Sequence, residues 1–365
     1  MPYKISGTLS DAARVIVIKE SDWSIESNTT ESVGAYEIDS LESGSKLVAG
    51  RKSDGEALVF GSVTPTEYTP PGPRGVFGGG YTSTPVNVID YITISSTGNA
   101  SDFGDLTVAR YAVSSTSNGT NDRGVFAGGD SGSRLNTIDY ITISSTGDAT
   151  DFGNLILIRY MTAAVSNGTN DRGVFGGGGT SIPTDVDVID YITISSPSNA
   201  TDFGDLSVQR RGLAGCSNGT NDRGCFAGGA GPKTNLIDYI TISNASNAFD
   251  FGDLTLVILY VVGCSNGTNN RGVFGGGNTD VDVNTIDYIT ISSTGNATDF
   301  GDLTTARYWA AACSNGTAER GVFGGGSAGD YTNIIDYITI SSTGNATDFG
   351  DLTEAKVGHA ATSNA

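Results

Sequence analysis

The chain is poor in the residues from which most catalytic and nucleic-acid sites are built. It holds one histidine, His359, in 365 residues. One histidine cannot form a multi-histidine copper centre, and it serves a Ser-His-Asp triad only where all partners converge on it, so His359 reads as structural. Lys and Arg together number 20 against 40 Asp and Glu, a formal net charge of −20. That field repels phosphate backbones and anionic lipid, so neither nucleic acid nor a membrane surface is an expected partner. No apolar run approaches the roughly 18 residues of a membrane span, and no insertion is expected. The start, MPYKISGTLSDAARVIVIKE, has no basic n-region, apolar core or small-residue cleavage site, which sets the expectation of synthesis in the cytoplasm without a Sec-type signal. The 4 cysteines are too sparse for a disulfide framework. Proline is scarce, at 9 residues, and no stretch carries an apolar stripe at helical spacing, which leaves an all-β chain.

Against these absences stands a sequence that repeats itself. DYITIS recurs unchanged at Asp90, Asp139, Asp190, Asp238, Asp287 and Asp336, each copy followed by DFGDL or DFGNL. RGVFGGG or a close variant starts at Arg74, Arg123, Arg172, Arg223, Arg271 and Arg320, in steps of 49, 49, 51, 48 and 49 residues. A period of 20 to 50 residues marks a solenoid, a propeller or an array. Within one unit, RYAVSST, RGVFAGG, NTIDYITIS and ATDFGDL are short apolar segments between Gly, Asn, Ser and Asp, and they read as four strands. In the third, Ile138, Tyr140 and Thr142 face one way and Asp139, Ile141 and Ile143 the other, so large apolar groups lie on both faces. Stacking each sheet between two neighbours in a ring covers both. The SNGTND and SSTGNAT joints carry the Asn-Gly and Gly chemistry of tight turns. Residues 357–363, in EAKVGHAATSNA, align with the first strands of other copies and are expected beside Arg74–Gly80, closing the ring without an open edge.

The catalytic words have structural readings. DFG and FGGG recur in every unit, whereas a catalytic motif occurs once, and no Lys-Ser or Lys-Thr follows FGGG as a phosphate loop requires. Cys216, Cys264 and Cys313 share a repeat position with Thr116, Val165 and Thr362, which points to a small buried side chain, and Cys225 replaces the Val of RGVF. Asp185 with Asp187 and Asp280 with Asp282 offer too few oxygens for calcium, so no metal and no cofactor is expected.

The copies differ in one place. The connections between second and third strands read YTSTPVN, DSGSRLN, GTSIPTDVDV, AGPKTN, NTDVDVN and SAGDYTN, and in a four-stranded blade they share a rim with the links between blades. Binding residues gather on loops held by a rigid scaffold, and Arg and aromatic side chains are common anchors. The candidate binding residues on that rim are Arg110, Tyr111, Arg159, Tyr160, Arg210, Arg211, Arg307, Tyr308 and Trp309, with Tyr260 in the same linking position; no catalytic residue is assigned.

Four strands in about 49 residues, GGG after an apolar pair, a Tyr in the next strand, an aromatic in the fourth and an Arg beyond it resemble the Kelch repeat. Kelch repeats usually carry Trp where this chain has Phe103, Phe152, Phe203, Phe251, Phe300 and Phe349. The resemblance implies a six-bladed Kelch-like β-propeller over 74–365, in which the linking Arg often closes inter-blade hydrogen bonds. Residues 1–66 alternate apolar and polar residues between turn signals as in a small β-sandwich, and ESVGAYEIDSLESGSKLVAGR resembles the carboxypeptidase-regulatory-like or transthyretin-like sandwich. Residues 67–73, EYTPPGP, form a stiff linker.

Across the six repeats, the DYITISSTGNATDFGDLT wording resembles repeat proteins of marine bacteriophages and their virions. The resemblance implies a non-enzymatic virion protein, tail- or fibre-associated. Its sandwich would dock to other virion subunits, and its propeller would act as an adhesin for a host-surface glycan or protein. The alternatives are a structural decoration or spacer protein and a glycan-processing propeller enzyme.

Overall fold

The computed structural model describes residues 73–364 except 119–121, 168–170, 182–183, 219–221, 266–269 and 315–318, together with the strand backbones within residues 1–67. Contacts divide the chain into two units, Met1–Gly72 and Pro73–Ala365. In the first, Tyr3–Leu9 pairs with Gly34–Leu41 and Thr66–Glu67, and Ala13–Lys19 pairs with Ser24–Glu31 and Lys46–Lys52, which in turn pairs with Ala57–Val63. The sandwich expected there, residues 68–72 of the linker expected over 67–73, and the Asn-Gly turns of the SNGTND joints lie outside the described residues.

The second unit is a six-bladed β-propeller, without helices among the described residues. Blade 2 is the plainest: Ser114–Asn118, Arg123–Ala127, Thr137–Thr142 and Thr150–Asn154 pair in sequence order, all antiparallel. The other blades repeat this order. In blade 1 the innermost strand comes from the other end of the chain: Ala360–Ser363 pairs with Arg74–Gly78, in the register Ala360↔Gly78 to Ser363↔Gly75, and Val357 bridges Tyr81. That strand touches the innermost strands of blades 2 and 6, so the ring is closed.

Each gap between blades holds one apolar cluster drawn from facing sheets. Between blades 1 and 2, Val76, Ile89 and Phe103 meet Phe126, Ile141 and Ile143. Between blades 6 and 1, Val322, Ile335 and Phe349 meet Phe77, Ile92 and Ile94. The same positions recur in the other four gaps. Both faces of the DYITIS strand are therefore buried, and each fully buried Phe contributes about 1.5–3 kcal/mol of transfer free energy.

Polar staples cross the same gaps. Each arginine that opens a second strand lies 4.3–4.6 Å over the tyrosine ring of its own third strand. Its Nη1 donates to an isoleucine carbonyl of the next blade, as from Arg123 to Ile194 at 2.8 Å and, across the closure, from Arg320 to Ile94 at 3.0 Å. The DFG words sit at a bulge in the outer strand, for instance between Ile138 and Asp139 on the paired strand. Gly153 takes φ 143° there, and a Cβ on it would come within 2.5 Å of the Ser198 carbonyl oxygen of the next blade. Glycine is required by backbone conformation and by close approach.

The four cysteines are buried and free. A Cβ on Gly272 would stand 2.3 Å from the Cys216 sulfur, and one on Gly75 2.6 Å from that of Cys313, so these thiols pack as small hydrophobes against the glycine of a neighbouring blade. Burial pushes the Cys264 thiol up to about 12.

Candidate functional site

The variable loops and the inter-blade links share one rim. Tyr81 bridges Val357, Tyr111 bridges Asp130, Tyr160 bridges Gly179, Arg211 bridges Ala230, Leu259 bridges Asn278, and Tyr308 bridges Ser327. Each variable loop is thus pinned at its first residue to the link entering its own blade.

At the axis these links form a closed ring. The second residue after each linking cation position is Ala112, Met161, Gly212, Tyr260, Trp309 or Gly358, all with φ between 55° and 67°. The N–H of each donates to the carbonyl of the one before it: Met161 to Ala112 at 2.9 Å, Gly212 to Met161 at 2.9 Å, Tyr260 to Gly212 at 2.8 Å, Trp309 to Tyr260 at 3.2 Å, Gly358 to Trp309 at 3.0 Å, and Ala112 to Gly358 at 2.6 Å. The left-handed backbone is unfavourable by about 1–2 kcal/mol for a residue with a Cβ, and the ring of bonds holds it in place. At the far end of the innermost strands the hydroxyls of Ser117, Ser166, Ser217, Ser265, Ser314 and Ser363 form a second ring. Each donates to the serine carbonyl of the preceding blade, for example Ser217 to Ser166 at 2.6 Å and Ser117 to Ser363 at 2.5 Å. Between the rings lies a space of about 100 Å³, walled by small residues such as Ala163, Ala214 and Ala311 and by His359. His359 is buried beside Phe77, with its pKa well below the usual histidine range because burial and then the charge of Lys356 disfavour the imidazolium.

The structure corrects part of the sequence expectation. Arg110, Arg159, Arg210 and Arg307 are fully buried and offer nothing to a ligand in solvent. They pair with the aspartates of the DYITIS words, Asp139, Asp190 and Asp238 at 3.0 Å and Asp336 at 2.9 Å, while Lys356 pairs with Asp90 at 2.9 Å. Arg110 also donates to the carbonyls of Thr137 and Phe126. A strand-linking arginine whose neighbours carry a matched buried aspartate is a fastener between blades. Tyr160 is buried as well, beneath the Arg134 guanidinium at 4.6 Å. Arg211, partly exposed, is held by Asp185. In the acidic loops, Asp280 pairs with Lys233 at 2.7 Å and Asp282 accepts from Asn278 at 2.9 Å. Among the described residues no group of three or more His, Cys, Asp or Glu side chains converges as a metal site.

Tyr111, Tyr308 and Trp309 do come together, and the structure adds residues that the linking pattern did not single out. They line a pocket of about 280 Å³ with Tyr81, Tyr331 and Val357, over the junction of blades 6 and 1. Tyr331 stands at 86° to Tyr81 with centroids 6.2 Å apart, Tyr81 at 66° to Tyr111 at 5.3 Å, and Tyr111 at 83° to Trp309 at 6.0 Å. Behind them Tyr260 stacks on Trp309 at 4.9 Å and 27°, a back wall that fixes the indole. Desolvation, and then the charge of Asp130, raise the Tyr111 hydroxyl above the usual tyrosine value, so it stays protonated as a donor. Tyr81 and Tyr331 were legible in one respect: they are the two aromatics within the variable connections, in YTSTPVN and SAGDYTN. A second hollow of about 260 Å³ on the outer edge of blade 6 is lined by Tyr337, Thr339 and Gly344; the first two belong to DYITIS, which every copy repeats, and the Gly344 position is glycine in four copies and serine at Ser198 and Ser246, so nothing there is particular to blade 6.

Neither protein-family models nor curated proteins give a match to this chain.

Proposed function

We propose that the propeller is a binding module without catalysis, an adhesin of the Kelch-like type that recognises a host-surface glycan or protein through the aromatic pocket at blades 6 and 1. The observation that carries this reading is the coincidence of sequence variation with concave aromatic surface: in an otherwise repetitive chain, Tyr81, Trp309, Tyr331 and Val357 depart from the repeat, and they wall the pocket together with the repeated Tyr111 and Tyr308. Repeats in register build a rigid ring, and the differing loops on its rim supply recognition. The repeat wording supports placing the protein in a virion, tail- or fibre-associated, with residues 1–66 as a carboxypeptidase-regulatory-like sandwich docking to other virion subunits. The side chains of the pocket favour an adhesin over an inert spacer, because a spacer has no need of clustered, partly exposed aromatics on one rim. Among the described residues the lining is tyrosine, tryptophan and valine with no carboxylate in it, which supports binding over glycoside hydrolysis.

The test is adsorption of the full-length chain to intact bacterial cells and to a panel of purified surface saccharides. Tyr331→Ala is expected to lower cell adsorption at least about fivefold, as for an aromatic hot spot, with an unchanged melting temperature because its side chain stands at the mouth. Undiminished adsorption of this variant and of Trp309→Gly would remove the pocket from the function. Imaging of the native particle that contains the chain tests its place in a virion.

A further inference from the structure

The shape and charge of the pocket name a class of ligand more specific than a glycan or a protein, resting on the reading of this rim as a binding face. We infer that the pocket takes a quaternary or methylated ammonium group, carried on a surface saccharide.

Three observations carry this. Successive walls are steeply inclined, Tyr331 to Tyr81 at 86°, Tyr81 to Tyr111 at 66° and Tyr111 to Trp309 at 83°. A pyranose ring stacks flat on one open aromatic face, whereas walls set nearly at right angles surround a compact, rounded group. Aromatic faces carry negative electrostatic potential and attract cations, most of all weakly hydrated alkylammonium groups that lose little on leaving water. The volume, about 280 Å³, sits just below the roughly 300 Å³ at which pockets for larger ligands begin, enough for a single such group.

The electrostatics agree. No Lys or Arg lines the pocket. Arg134, the nearest rim cation in sequence to Tyr111's partner Asp130, is already stacked on Tyr160, outside the lining. Asp330 adjoins Tyr331 and is exposed, and the chain as a whole carries −20. That field draws in a cationic group and opposes an anionic one. It also opposes approach to an anionic bilayer, which favours a saccharide over a lipid headgroup as the carrier.

Calorimetric titration of the full-length chain with choline chloride, its neutral isostere 3,3-dimethyl-1-butanol and methyl glucoside tests the assignment. Choline is expected to bind saturably and at least about fivefold more tightly than the isostere, since the two share shape and differ in charge. Tyr331→Ala and Trp309→Gly should each weaken choline at least about fivefold. Equal binding of choline and the isostere, or no choline binding, overturns the inference. Methyl glucoside binding without choline binding leaves the recognition face standing and removes the cation. If no probe binds and cell adsorption is unaffected by both variants, the reading of the face falls as well. Vesicles distinguish the carriers: the protein should not sediment with phosphatidylcholine vesicles while binding a phosphocholine-bearing polysaccharide, and the opposite result overturns the saccharide carrier.

Discussion

Trp309 takes φ 59° and Tyr260 the same value, a conformation that bulky side chains seldom hold. The same ring position is glycine in Gly212 and Gly358, so the fold tolerates, and the backbone prefers, a residue without Cβ there. This reverses the usual ranking of truncations. Trp309→Ala removes the indole and keeps the left-handed strain, whereas Trp309→Gly removes both. We expect Trp309→Gly to be at least as stable as Trp309→Ala in urea unfolding, although elsewhere Gly costs about 0.5–1 kcal/mol relative to Ala; an alanine variant clearly the more stable would show that the ring is not left-handed. Both variants lose the Tyr260 stack and the Tyr111 edge contact, so a stability loss below the roughly 3–5 kcal/mol of a fully buried Trp is expected from a side chain that is only half-buried. At this scale the sequence was legible where copies could be compared. The Cys216, Thr116 and Val165 interchange pointed to a small buried group and the structure places one there. The arginines misled, because Arg and Tyr are adjacent in RYA and RYW while the backbone sends the arginine inward to a carboxylate and leaves Tyr111 and Tyr308 partly exposed at the rim. Only the partner aspartate, 29 residues beyond Arg110 at Asp139, decides between them, and that pairing is a property of the fold.

The strand Ala360–Ser363 shows what one element contributes. It supplies blade 1 with its innermost strand, Ser363 donates to the Ser314 carbonyl and its own carbonyl receives Ser117, and Asn364 accepts from the Arg74 N–H at 2.8 Å. Removing everything after Glu354 takes away this strand and Lys356, the partner of Asp90, together. Ending the chain after Gly358 is the sharper test, because it keeps that ion pair and the axial ring and removes the strand with its flanking residues, His359 among them. The edge of Arg74–Gly78 is then unpaired, a template for association. We expect this truncated protein to aggregate or to unfold at clearly lower urea, and a midpoint equal to that of the full chain would refute closure by the C-terminal strand. The alternation of apolar residues made the four strands and their order readable, and the alignment of the tail with sibling first strands made the closure readable. The bulge at DFG was not, since a glycine in an otherwise alternating strand signals a bulge or a close approach without saying which, and here it is both.

Across the whole molecule, five of the six links place a buried cation against the aspartate of a DYITIS word, and the sixth does not. Between blades 4 and 5 the cation is replaced by Ile258, and among the described residues the donors to Asp287 are the Thr255 N–H at 2.9 Å and its hydroxyl. The small cavity left beside it, about 10 Å³ and lined by Ile258, Phe274, Gly276, Thr285 and Asp287, has room for about one water, and it corresponds to the space filled by the guanidinium in blade 2. Desolvation raises the Asp287 carboxyl above the usual aspartate range, opposed by the bonds from Thr255. An acid whose folded pKa is raised favours folding most in its protonated form; that contribution is complete below the unfolded aspartate value and is lost as pH rises through the folded one. Burial raises the Asp190 carboxyl as well, but there Arg159 opposes the shift, whereas among the described residues no cation is paired with Asp287. This junction is therefore weakened at neutral pH, and in a closed ring every blade depends on it. Ile258→Arg should bring a guanidinium to Asp287 and raise stability at pH 7 by on the order of 1 kcal/mol or more, because it pairs a carboxylate that is already buried instead of burying a new one. Asp287→Asn should also gain at pH 7 relative to the parent and lose that advantage in acid. The double variant should forfeit most of the Ile258→Arg gain, since its arginine would be buried without a counter-charge. Urea midpoints of the four proteins at pH 7 and pH 4 decide the matter: an arginine variant less stable at neutral pH, or a gain that persists in the double variant, would show that this seam is held by packing and not limited by its unpaired charge.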